Sequence, residues 1–137
     1  MFKLVKILSS CVTAPEFMLM PTAPDKHYEK VSLLVINANG KMETPAQGVK
    51  PTFICAESAE PNKKNEILVF PITSDMIFEV PVLTNVQNIK IGTKLGFGYN
   101  EHSCASSLTG STTNGVATVV YNLDHATNNK KIRVRFE

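Results

Sequence analysis

Proline and glycine punctuate this chain so often that a helix of ordinary length has nowhere to form. Eight prolines and seven glycines are spread over 137 residues. No window of about eleven residues keeps apolar side chains at i, i+3, i+4 and i+7 without meeting a breaker or a strand-like run. What recurs instead is short β-rich segments separated by turn chemistry. Val31 to Ile36 is the first strong one, and Asn39-Gly40 after it suits a turn needing positive φ. Thr52 to Glu57 follows, entered from Pro51, and the lysine-containing stretch from Ser58 to Asn65 reads as an exposed connection. Glu66 to Ile72 and Met76 to Val80 are joined by Thr73-Ser74-Asp75.

The faces of these segments say how they are used. In Ile132-Arg133-Val134-Arg135-Phe136 the apolar residues alternate with arginines, the period-two pattern of a strand with one face in the core. Glu66 to Ile72 differs. Ile67 and Val69 share one face, while Leu68, Phe70 and Ile72 share the other. A strand apolar on both faces is covered twice, by its own domain or by another subunit. Ile89 to Phe97 is interrupted by Gly92 and Gly96, which suggests a bulge or sharp bend. Val116 to Leu123 completes the set, and Glu101 to Gly115, rich in Ser and Thr, reads as a long surface loop. The expected fold is all-β.

Composition excludes several function classes. A hydrophobic fraction of 43% is too high for disorder, and no apolar run approaches the ~20 residues that span a bilayer. The formal net charge of +2 gives no reason to expect nucleic acid or a membrane as the main partner. Arg133 and Arg135 in the one basic cluster read as the solvent side of a terminal strand, where charge discourages stray sheet pairing. On a barrel of the oligonucleotide-binding type, the same cluster with Tyr99 or Tyr121 would make a nucleic-acid face.

Cys11, Cys55 and Cys104 are too few and too far apart for a disulfide framework or a zinc ladder, and they read as incidental thiols of a reducing cytosol. Leu8-Ser9-Ser10-Cys11 has the look of a lipidation signal, but Lys3 and Lys6 break the apolar centre such signals need, so no lipid anchor is expected. His102 stands near Cys104 in a Ser/Thr-rich stretch without an orienting neighbour, and His27 and His125 lack metal-ligand spacing. No catalytic residue, cofactor or metal ligand is assigned.

Residues 1–30 stand apart, with Pro15, Pro21 and Pro24 among small apolar patches. Phe2, Leu4 and Ile7 mark one strand-like patch, and Phe17, Met18, Leu19 and Met20 form a second. They either complete the domain's own sheet or pair with a strand of another protein by β-augmentation. On the second reading these seven are the partner-binding residues of an N-terminal extended arm, residues 1–30, carried by a β-barrel domain, residues 31–137.

The order of the β segments resembles a known family. Val31 to Ile36 leads into Asn39-Gly40-Lys41, then Pro51-Thr52-Phe53-Ile54-Cys55-Ala56-Glu57 and a charged loop. Ile67 to Pro81, Gly92-Thr93-Lys94-Leu95 and Ile132 to Phe136 follow. Over residues 30–137 this succession resembles the head-decoration, or capsid cement, proteins of tailed bacteriophages. The proline-containing N-terminal part departs from that pattern. The resemblance implies a small β-barrel, of β-tulip or SH3-like form, or a short β-sandwich, with an extended N-terminal arm. It also implies a homo-oligomer, with a trimer as the expected state, made in the bacterial cytoplasm and seated on the virion's capsid surface. There it would bind across major capsid protein subunits and resist the pressure of packaged DNA. The alternatives are a β-barrel binding module for nucleic acid or glycan, and a minor head-fibre or tail structural protein.

Overall fold

The computed structural model describes residues 3–7, 16–81, 89–110, 115–121 and 131–137. Phe2, Cys11 and His125 lie outside the described residues. The strands are β1 (Lys3–Ile7), β2 (Met18–Pro21), β3 (Leu33–Ile36), β4 (Met42–Glu43), β5 (Phe53–Cys55), β6 (Glu66–Pro71), β7 (Met76–Pro81), β8 (Lys94–Tyr99), β9 (Ala105–Gly110), β10 (Ala117–Tyr121) and β11 (Lys131–Phe136). They hydrogen-bond in the order β1-β7-β11-β10-β8-β9-β3-β5-β6-β2, with β4 added beside β3. The sheet is antiparallel and curls into a half-barrel, as the all-β reading anticipated. Among the described residues there is no helix, and so none long and apolar enough to cross a membrane.

Two apolar cores lie on opposite faces of the strands β3, β5 and β6. The larger gathers Leu33, Ile54, Phe78, Leu95, Leu108, Val119, Ile132, Val134 and Phe136, among others, with Phe70 and Ile72 packed at its margin. The smaller holds Tyr28, Leu34, Met42, Cys55, Ile67 and Val69, with Met20, Phe53 and Ala59 against it. Adjacent residues therefore go opposite ways, Leu33 to one core and Leu34 to the other, as the period-two pleat requires. Register keeps the faces consistent, since Leu33 pairs with Ile54, Ile54 with Phe70, and Cys55 with Val69. This accounts for the doubly apolar segment from Glu66 to Ile72 within one chain.

The smaller core is ringed by strands. β2 pairs with β6, β6 with β5, β5 with β3, and β3 with β4. A parallel bridge between Thr22 and Met42 joins the two ends of that run. Tyr28 fills the centre at 2% exposure. Its hydroxyl donates to the Met42 carbonyl at 2.7 Å and accepts from the Ala23 amide at 2.8 Å. One phenol thus satisfies buried main-chain groups on both sides of the closure.

Local chemistry explains the turns. Asn37 Oδ1 accepts from the amides of Asn39 and Lys41, and Gly40 takes φ 74°, making the tight β3–β4 connection. Gly115 is required for a different reason. A Cβ there would lie 2.5 Å from Lys94 Cβ and 3.0 Å from the Lys94 carbonyl carbon, so β8 passes too close for any side chain. In β11, Ile132, Val134 and Phe136 are fully buried while Arg133 and Arg135 are half-buried on the other face.

Two sequence expectations need correction. The Ser/Thr-rich stretch from Glu101 to Gly115 is not a long loop, because Ala105–Gly110 forms β9, paired with β8 along its length. Polar hydroxyl side chains on its half-buried positions hid a strand whose Ala105 and Leu108 are fully buried. Nor is β11 an edge. It lies between β7 and β10, so Arg133 and Arg135 do not guard an open strand.

Replacing Tyr28 with Phe leaves a buried donor and a buried acceptor unmet. At about 1–3 kcal/mol for each such group, urea denaturation of Tyr28→Phe should show a loss of roughly 2–6 kcal/mol. A change below about 0.5 kcal/mol, the range of ordinary surface substitutions, would mean the phenol does not close the ring. Gly115→Ala should also destabilise, by about 1–3 kcal/mol, because backbone must move to admit the methyl group.

Candidate functional site

The two ends of the sheet differ in chemistry. β1 at one end carries the exposed Lys3, the kind of residue that blunts an edge strand. β2 at the other end is Met-Leu-Met-Pro, without a charge. In register, Met18 faces Val69, Leu19 faces Leu68, Met20 faces Ile67 and Pro21 faces Glu66. The pleat sends Met20 into the smaller core and turns Leu19 to the side of the larger one, beyond its margin. Phe17, just before β2, packs edge-on against Phe70 at 5.7 Å between ring centroids. Phe17 and Leu19 remain 56% and 58% exposed, and Met18 39%. On its outer side β2 has only the Thr22–Met42 bridge among the described residues. Among the described residues the result is an open main-chain edge bordered by exposed apolar side chains.

Of the residues named from sequence, Phe17, Met18, Leu19 and Met20 come together here. Leu4 and Ile7 lie on β1, at the opposite end of the strand order, with Leu4 opposite Phe78 and Ile7 opposite Met76. Leu4 is half-buried against the larger core. Both described parts of residues 1–30 are thus joined to the sheet, and Ala23 and Tyr28 are buried.

A second feature was not visible in the sequence. Asp25, Lys26, His27, Glu43, Thr44, Glu101, His102 and Ser103 line an open cleft of about 590 Å³. It forms where the segment after β2 meets the β8–β9 turn. His27 and His102 stack at 4.1 Å, with Glu60 3.5 Å from the first and Glu101 3.5 Å from the second. Partners so distant in sequence leave no spacing signal. Among the described residues no three of His, Cys, Asp and Glu converge as metal ligands.

The two described thiols, Cys55 and Cys104, are both buried and favour the protonated form. Cys104 Sγ donates to the main-chain carbonyls of His27 and His102 rather than to an imidazole, and Lys26 Nζ lies 3.9 Å away. Burial raises its pKa. Cys55, with no exposed surface, donates to the Glu57 carbonyl, and burial pushes it up to about 11. Such a thiol is a poor nucleophile at neutral pH. Glu57 shifts the opposite way, because Lys64 at 2.8 Å and the Leu68 amide at 3.0 Å stabilise its carboxylate.

Comparison with family models, curated proteins and solved structures gives no match to this chain.

The buried acids set an alkaline limit. Below the ordinary thiol pKa of 9.0 both folded and unfolded chains hold the Cys55 proton, so its contribution is constant. From there to about 11 the unfolded chain loses the proton first, and stability falls as pH rises. Two units correspond to roughly 2–3 kcal/mol, and Tyr28 and Cys104, also raised by burial, add to the same limb. Urea midpoints measured across this range should fall, and Cys55→Ala should make the fall shallower. An unchanged slope in that variant would show that Cys55 does not carry the linkage.

Proposed function

We propose that this chain is a structural protein of a tailed-phage virion, decorating the outer surface of the capsid and binding across major capsid protein subunits. The observation that carries this reading is the uncharged, unblunted edge of β2 with Phe17, Met18 and Leu19 exposed beside it. Monomeric proteins usually guard such edges, as β1 does, because they template pairing with other chains. An edge left open invites a strand from a partner, with main-chain hydrogen bonds for affinity and the flanking side chains for selectivity. The order of the β segments, similar to that of capsid cement proteins, supports the choice of partner.

Energetics fit a lattice better than a lone complex. β2 and the preceding Phe17 offer a four-residue strand and three exposed apolar side chains, which falls short of the ~800 Å² per partner of a standard interface. A single contact of this size is weak. Assembly as a trimer would link several such edges, and simultaneous engagement on a repeating shell multiplies their effect.

Gradient co-sedimentation with expanded, undecorated heads tests this directly. The protein should saturate the shells at a fixed, high copy number. Leu19→Asp, at an exposed position, should melt normally and lose at least about tenfold in binding, since it places a charge on the docking edge. A few copies per particle would move the site to a vertex or the tail. No binding by the unaltered protein would overturn the reading.

A further inference from the structure

The face of the sheet opposite the larger core carries charge that edge protection does not explain, because β11 is internal. Rows of residues run across it in register. Tyr121 on β10 stands opposite Arg133, Arg133 opposite Glu79 on β7, and Glu79 opposite Lys3 on β1. In the next row Lys94 stands opposite Thr118 and Thr118 opposite Arg135. Lys3, Lys94, Arg133 and Arg135 therefore face Glu79 and Glu137, and the described part of this face is cationic.

Not all of these cations are free. Lys94 Nζ donates to Thr118 Oγ1 at 2.5 Å. Arg135 Nε donates to the Ser74 carbonyl at 2.7 Å and lies 3.3 Å from Glu137. Arg133 is different. Among the described residues no hydrogen bond or ion pair holds its guanidinium, and its enclosed Nε meets no acceptor. Its in-register neighbour Glu79 does not come within ion-pair distance.

Beside Arg133 the strand β10 spends an extra residue. Val119 pairs with Val134 but Tyr121 pairs with Arg133, so Val120 is a bulge. Simple alternation would turn Tyr121 inward with Val119. The bulge turns it to the outer face, where it is 48% exposed. Bulges that re-aim one side chain are characteristic of functional positions.

We propose that the outer face of β10 and β11 binds single-stranded nucleic acid, with Tyr121 stacking on a base and Arg133 holding the adjoining phosphate. Charge complementarity calls for an anionic partner, and the exposed ring beside the arginine selects a base-bearing polyanion over an acidic peptide. Stacking on a single ring is sequence-tolerant, so a homopolymer is an adequate probe. The site is separate from the β2 edge and does not depend on the capsid reading.

The test is fluorescence anisotropy of labelled oligothymidine at low ionic strength. Binding should be measurable and should weaken with salt, with a log–log slope near −2, as expected for about three neutralised phosphates. Tyr121→Ala and Arg133→Gln should each weaken it by about tenfold, while Leu19→Asp leaves it unchanged. Should Arg133→Gln melt early, Tyr121→Ala, at an exposed position, decides alone. No binding at low salt, or binding indifferent to Tyr121→Ala, would overturn the proposal. So would equal affinity for polyglutamate of the same charge.

Discussion

Strands β3, β5 and β6 have to satisfy two hydrophobic interiors at once, and most of the architecture depends on that. A sheet with one core can put polar residues on its second face. Here Leu33 and Leu34 are both buried, as are Ile54 and Cys55, because each strand is a wall shared by the larger core and the smaller one. The smaller core holds only a few large side chains, so it cannot stand alone. It is supported by the strands it borrows from the larger sheet, by the β2–β4 closure, and by a tyrosine hydroxyl that meets main-chain groups on both sides of it. Slipping any of these strands by one residue would exchange the two faces and spoil both cores together.

The parts legible in the sequence were those in which one physical signal dominated. Alternation in Ile132 to Phe136 located β11 and its inward face, and Asn39-Gly40 marked the turn after β3. The doubly apolar pattern of Ile67 to Ile72 announced that both faces would be covered. Other features were hidden for physical reasons. β9 offers Ser and Thr at half-buried positions and so resembles a loop in composition, although its partner β8 leaves room with Gly96 and Gly98 opposite Thr109 and Ser107. The place of β11 inside the sheet is a matter of topology, and period-two alternation is the same in an edge strand and an internal one. The stacking of His27 on His102 comes from two turns meeting in space. The exposed patch from Phe17 to Leu19 was legible as apolar surface, but its value as an edge depended on knowing that β6 takes only one side of β2.

The two ends of the sheet show how a protein with open edges can remain selective. Lysine on β1 discourages addition at one end, while β2 is left neutral and apolar at the other. On the reading proposed above, pairing would be directed to the β2 end. Pro21 limits how far a partner strand could extend, since it has no amide to donate, and the Thr22–Met42 bridge seals the main chain just beyond it. An incoming strand would find a short track of four residues.

The position of β7 has a consequence for synthesis of the chain. It is hydrogen-bonded on one side to β1 and on the other to β11, so strands from near the start and the end of this sequence flank one from its middle. A ribosome delivers β11 after every other strand described here. Until then β7 and β10 each lack a neighbour, and the larger core lacks Ile132, Val134 and Phe136. The strands around the smaller core are all made by Pro71, but the larger sheet that supports them stays open until translation has passed Phe136. Nascent chains therefore expose two strands with one open edge each beside an apolar face, the state in which β proteins mispair. Late arrival of an internal strand leaves the growing polypeptide with surfaces of the kind that chaperones shield.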